Sequence, residues 1–102
     1  MYTTQTIIED GKEYKVSTWN GNKNVFWVLN GKIHREKGPA FYETYLNNLY
    51  WYQNSHKHRI DGPAHITCSG EYRMRWYIND KRITEQMHTK IRMVLAFGLD
   101  KI

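Results

Sequence analysis

A chain of 102 residues has the size of one domain, and folding at that length buries roughly two thirds of the unfolded chain's surface, enough for one core and no second. Hydrophobic residues make up 40% and aromatic residues 15%, which excludes a disordered chain and supplies flat amphipathic rings suited to sheet faces. Fifteen Lys and Arg against ten Asp and Glu leave a formal charge of +5 with no polybasic run, and the lone cysteine, Cys68, excludes an intramolecular disulfide and points to a reducing, cytoplasmic compartment.

The opening segment Thr6 to Val16 reads as two short strands around an Asp10-Gly11 turn. The preceding Met1 to Gln5 shows no signal-peptide pattern, and no apolar run in the chain approaches the roughly 18 residues of a membrane span. Asn20-Gly21 offers a second turn before the apolar run Val25 to Leu29. Residues 1–26 are therefore expected to form a degenerate N-terminal hairpin that caps a stack of later units.

From Trp27 onward the chain repeats itself. Trp27, Asn30, Lys32, His34, Arg35, Gly38, Pro39 and Ala40 recur as Trp51, Asn54, Lys57, His58, Arg59, Gly62, Pro63 and Ala64, all but the lysine stepping by 24 residues. A period between about 20 and 50 residues marks a repeat architecture whose units stack to bury their apolar faces. Ala40 to Thr44 runs out, Asn47-Asn48 turns and Leu49 to Gln53 returns; Ala64 to Cys68 and Tyr72 to Ile78 do the same around Ser69-Gly70. Asn30-Gly31 and Asn54-Ser55 bend the chain at strand ends, the second with a sequence suited to a different turn type. Gly38-Pro39 and Gly62-Pro63 reset its direction, and Ala40 and Ala64 stay small where the next hairpin packs.

A third Trp-x-x-Asn, Trp76 to Asn79, leads into Asp80 to Ile83 without a further His-Arg or Gly-Pro-Ala. Thr84 is suited to cap a helix over about residues 85–97, with Met87, Ile91, Val94 and Leu95 on one stripe and Gly98 as its stop. This helix is expected to cover the last hairpin's edge. The expected fold is thus mainly β (α+β): one domain of stacked antiparallel β-hairpin repeats in an elongated meander sheet. Residues 1–26 form the cap, 27–83 the hairpin repeats and 84–98 a C-terminal capping helix.

The pattern resembles a small-protein family whose repeat reads Trp-x-x-Asn-Gly-Lys-x-His-Arg-x-x-Gly-Pro-Ala, a divergent relative of the membrane occupation and recognition nexus (MORN) repeats. The resemblance covers about residues 16–84. It implies a protein of a phage or large DNA virus, acting in the host-cell cytoplasm as an accessory protein that binds and inhibits or redirects a host protein, a defence-system component included.

The residues themselves point to joinery and binding rather than chemistry. His34-Arg35 and His58-Arg59 are expected to satisfy backbone groups between units, the Arg fork bonding turn carbonyls and the His stacking on the repeat Trp. His34, His56, His58, His65 and His88 show no metal-ligand spacing, and no phosphate loop, nucleophile motif or cofactor signature is present. Cys68 is expected to be a buried or half-buried strand residue.

Trp27, Trp51 and Trp76 are expected to form a stacked core ladder. Alternation then places Phe26, Tyr50, Tyr52, Arg73, Arg75 and Tyr77 on an opposite aromatic and basic face. That face suits a protein partner, where Tyr, Trp and Arg dominate binding, or a nucleic acid, where bases stack and cations hold phosphates. A small ligand or nucleotide held by the His and Arg near the turns is a third reading. A homodimer is compatible with an exposed sheet edge or the helix stripe.

Overall fold

The computed structural model describes residues 1–71 and 73–98. Two eight-residue strands, β1 (Tyr2–Glu9) and β2 (Lys12–Trp19), form the opening hairpin, longer than the segment read from its turn, with Asp10 and Gly11 at φ 55° and 77°. Then come β3 (Val25–Leu29), β4 (Lys32–Ile33), β5 (Phe41–Glu43), β6 (Asn48–Tyr50), β7 (Tyr52–Gln53), β8 (His56–Lys57), β9 (His65–Thr67), β10 (Arg73–Ile78), β11 (Lys81–Ile83) and α1 (Glu85–Phe97). The main sheet runs β1-β2-β3-β5-β6-β9-β10-β11, every neighbouring pair antiparallel, so the architecture is a mainly β meander of hairpins with one C-terminal helix.

Each of the three repeat tryptophans, Trp27, Trp51 and Trp76, marks the place where a strand leaves one hairpin and enters another. The first half of β3 pairs with β5, while its last residues turn back on β4, Val28 opposite Ile33. In the second unit the same strand breaks at Trp51 into β6, paired with β5 and β9, and β7, paired with β8. In the third, β10 serves β9 with Arg73 to Arg75 and β11 with Trp76 to Ile78. The return strands β4, β8 and β11 have two or three residues, too few for an alternation signal in the sequence.

The three tight turns of these return hairpins share one geometry. Asn30-Gly31, Asn54-Ser55 and Asn79-Asp80 all hold both residues at positive φ, so the expected difference in turn type does not occur. The non-glycine residues grip the preceding unit, which offsets their backbone strain. Ser55 N–H donates to Ile33 O at 2.8 Å and Ile33 N–H to Ser55 Oγ at 3.2 Å. One unit later Asp80 N–H donates to Lys57 O and Lys57 N–H to Asp80 Oδ1, 2.8 and 2.7 Å.

The core sits on one side of the sheet, where Tyr14, Val16, Trp27 and Ala40 are buried and Ile7, Val25, Leu29, Ile33, Tyr42 and Tyr52 pack against them. Burying each large side chain there stabilises by about 2 kcal/mol. Ala64 is as fully buried as Ala40, as their small size suggested. The chain spans 49 × 36 × 18 Å, the proportions of a slab.

Several expectations need correction. The turn before β6 spans Thr44 to Asn47, and Asn48 already belongs to the strand. Cys68 is exposed and lies just past β9, its N–H donating to Asn47 O at 2.9 Å where the chain leaves the ladder. The start of the returning strand at Tyr72 lies outside the described residues. Thr84 caps α1 by accepting Met87 N–H, and Gly98 ends it in the left-handed region. On the helix, however, His88 is the buried residue, Ile91 and Val94 are half-buried, and Met87 and Leu95 are exposed. His88 Nε2–H donates to Arg59 O at 2.7 Å, so a polar plug rather than an apolar stripe seats the helix.

Candidate interaction face

The repeated residues face inward and bind unit to unit. Asn54 N–H donates to His34 Nδ1 at 3.0 Å, and Asn79 N–H donates to His58 Nδ1 at 3.1 Å. Accepting at Nδ1 leaves the ring proton on Nε2, which His34 donates to Glu36 at 3.2 Å. Burial, with His88 nearby, holds the His58 imidazole below the ordinary histidine range.

The arginines, not the histidines, stack on the tryptophans. The Arg35 guanidinium lies 3.7 Å from the Trp27 ring centroid and that of Arg59 lies 4.0 Å from Trp51, so each indole meets its own unit's cation instead of the neighbouring indole. Both arginines also bond turn carbonyls as expected, Arg35 Nη1 to Pro39 O at 3.3 Å and Arg59 Nη1 to Pro63 O at 3.0 Å. On the guanidinium's other side lies the glycine: a Cβ on Gly38 would meet Arg35 Nη1 at 2.9 Å, and one on Gly62 would meet Arg59 Cζ at 2.7 Å. Trp, Arg and Gly are therefore three layers of one packing unit, which is why they recur together.

Arg35 carries bonds that Arg59 lacks. Its Nε and Nη2 donate to the two Glu9 oxygens at 3.0 and 2.9 Å, tying the opening hairpin to the first unit and holding the Glu9 carboxyl below its ordinary range. Arg59 Nε instead donates to Asp61 of its own unit. Lys12 reaches across to Glu36 in a second tie.

The opposite side of the sheet carries one continuous row. Register places Thr4, Ser17, Phe26, Phe41, Tyr50, His65 and Arg75 side by side on β1, β2, β3, β5, β6, β9 and β10. Four of these rings stack in sequence: Phe26 on Phe41 at 4.5 Å, Phe41 on Tyr50 at 5.3 Å and Tyr50 on His65 at 4.2 Å between centroids, with planes 13 to 20° apart. Tyr2 extends the row edge-on to Phe26 and Trp19, over a hollow of about 290 Å³ lined by Tyr2, Thr4, Ser17, Phe26 and Val28.

Cations gather at the other end. Arg75 Nη1 donates to His65 Nδ1 at 3.4 Å, and His65 Nε2–H points to Thr67 Oγ1 at 3.3 Å. Burial and the Arg75 and Lys57 charges keep that imidazole below its ordinary range and neutral. Lys57 Nζ stands 5.6 Å from the Tyr50 ring and 5.0 Å from that of Tyr77. Tyr50 O–H donates to Glu43 at 2.6 Å, and burial with this carboxylate pushes the phenol's pKa up, keeping it a donor. Beside it the buried Asn48 Oδ1 has no hydrogen-bond partner among the described residues.

Of the six residues expected on this face, Phe26, Tyr50 and Arg75 lie in the row itself. Arg73 is exposed two residues before Arg75 on β10, opposite Thr67, its guanidinium 2.9 Å from Glu71. Tyr77 is half-buried beside Lys57, whereas Tyr52 packs against the core with its ring 6.3 Å from Tyr50, past the bend at Trp51. Sequence reasoning missed Phe41 and His65. They occupy one repeat position, directly after Ala40 and Ala64 and 24 residues apart, and that spacing was the signal that could have found them.

Among the described residues no group of three His, Cys, Asp or Glu side chains could hold a metal ion, and no helix is long and apolar enough to cross a membrane. His56 Nδ1 lies 2.6 Å from Asp80 Oδ2, while His58 turns to Asn79, so the two histidines do not converge. The chain matches no family model, no curated protein and no solved structure.

Proposed function

We propose that this chain is a non-enzymatic binding protein that engages another protein through the ring row and its cationic end. The observation that carries the reading is the mutual stacking of Phe26, Phe41, Tyr50 and His65. Rings that bind nucleic-acid bases must offer their π-faces. Here the faces cover one another, and a ridge of ring edges is left for contact, an apolar strip that suits the packed centre of a protein interface. Arg73, Arg75 and Lys57 supply a rim that favours an acidic partner. The inward engagement of His34, Arg35, His58 and Arg59 supports the non-enzymatic reading and weighs against a nucleotide held by those residues.

With the repeat's resemblance to the MORN-like family, the reading extends to a viral accessory protein that binds and inhibits or redirects a host protein in the cytoplasm. A nucleic acid is the second reading, favoured by the exposed Arg73 beside Arg75 and Lys57. Affinity capture from bacterial lysate, with and without nuclease, separates the two. A stoichiometric protein retained after nuclease is the expected result; recovery of nucleic acid alone, released by moderate salt, would overturn it.

A further inference from the structure

The two ends of the sheet are managed differently. At one end β11 is three residues long, carries Lys81 and Arg82 and runs directly into the helix, devices that stop a strand from pairing with another chain. At the other end β1 is eight residues long, with no Pro, Lys or Arg, and Tyr2, Thr4, Thr6 and Ile8 are all exposed. Its one charged residue, Glu9, is paired with Arg35; of the lysines on the neighbouring strand, Lys12 is paired with Glu36 and Lys15 donates to Thr6 Oγ1 at 2.7 Å. Two chains of charge +5 would thus meet along a strand whose one charge is paired, flanked by Lys15 and Glu13, which offset each other.

The hydrogen-bonding phase of this edge is set by its ends. The two-residue turn makes Glu9 and Lys12 a bonded pair, and at the far end Asn20 N–H donates to Met1 O at 2.9 Å. The odd residues therefore bond to β2, and Tyr2, Thr4, Thr6 and Ile8 point their N–H and C=O groups outward. We propose that β1 is the interface of a homodimer, pairing antiparallel with β1 of a second copy about a dyad at Gln5. That register uses all of the outward groups at once. It sets the exposed Tyr2 opposite the partner's Ile8, the exposed Ile8 opposite the partner's Tyr2, and each Thr4 opposite a Thr6. Because paired residues share a sheet face, the two ring rows become one bivalent surface. The inference rests on the edge alone and stands whether or not the row binds a protein.

The test is sedimentation equilibrium on the full chain over a range of concentrations, with variants at the edge. The wild type is expected to approach twice the chain mass, and Ile8→Lys and Thr4→Pro, which charge the edge or remove an outward N–H without touching the β1–β2 ladder, are expected to stay monomeric. Cysteines fix the register. On a Cys68→Ser background, Gln5→Cys is expected to oxidise to a covalent dimer, since residues opposite at a non-bonded antiparallel position have Cα atoms about 4.5 Å apart. Thr3→Cys, four positions from its own copy, is expected to cross-link at least tenfold less. A wild type that stays monomeric to millimolar concentration, as it would if this edge serves a strand of another protein, overturns the proposal. So does a dimer indifferent to Ile8→Lys, or equal cross-linking from Gln5→Cys and Thr3→Cys.

Discussion

The backbone N–H of Asn54 donates to Nδ1 of His34 across the boundary between the first and second units. Asn79 repeats the bond with His58 at the next boundary. His34→Ala or His58→Ala strands a backbone donor and is expected to cost about 1–3 kcal/mol, with His→Asn, whose side-chain oxygen can accept the same bond, recovering part of it. Urea unfolding midpoints measure both; an alanine variant as stable as the wild type would contradict the role.

Gly62 is glycine because of Arg59. Gly62→Ala is expected to destabilise by about 1–3 kcal/mol by driving the guanidinium off Trp51 and the Pro63 carbonyl. In an Arg59→Ala background the same change is expected to be nearly neutral, so a double-mutant cycle reads the coupling directly. Additive effects would separate the two residues. Gly38 and Arg35 give a second cycle with the same sign.

Stability is expected to fall on acidification in two stages. His58 and His65 are held neutral in the fold, below the ordinary value of 6.5, so below that pH the unfolded chain binds more protons. Their contribution is complete above it and declines as pH falls toward the depressed folded-state values. Glu9 and Glu36, depressed by Arg35 and by Lys12 respectively, add a second loss below their ordinary 4.5. Unfolding midpoints between about pH 7.5 and pH 5.5 isolate the histidine stage, and His65→Gln is expected to flatten it.

The sequence showed the units, the helix with both caps and the inward fate of His-Arg, because each rests on local spacing. It did not show which partner each side chain takes. The indoles were expected on one another, yet Arg35 and Arg59 lie nearer, a choice made by Gly38 and Gly62 leaving room for a guanidinium. Alternation puts Tyr52 on the aromatic face, and alternation fails where the strand bends at Trp51. The row itself depends on cross-strand register from β1 to β10, information that single-strand periodicity does not contain.

On the proposed function the row binds the partner while the repeated residues hold the fold, and affinity capture with paired variants tests that division most sharply. Phe41→Thr with Arg75→Thr removes a ring and a cation from the row while introducing β-branched residues that suit a strand, and His34→Asn weakens the joinery. The row variant, with circular dichroism unchanged, is expected to lose the captured protein at least tenfold, and His34→Asn to retain it below its own unfolding midpoint. A folded row variant that captures the same protein at wild-type yield would contradict the assignment.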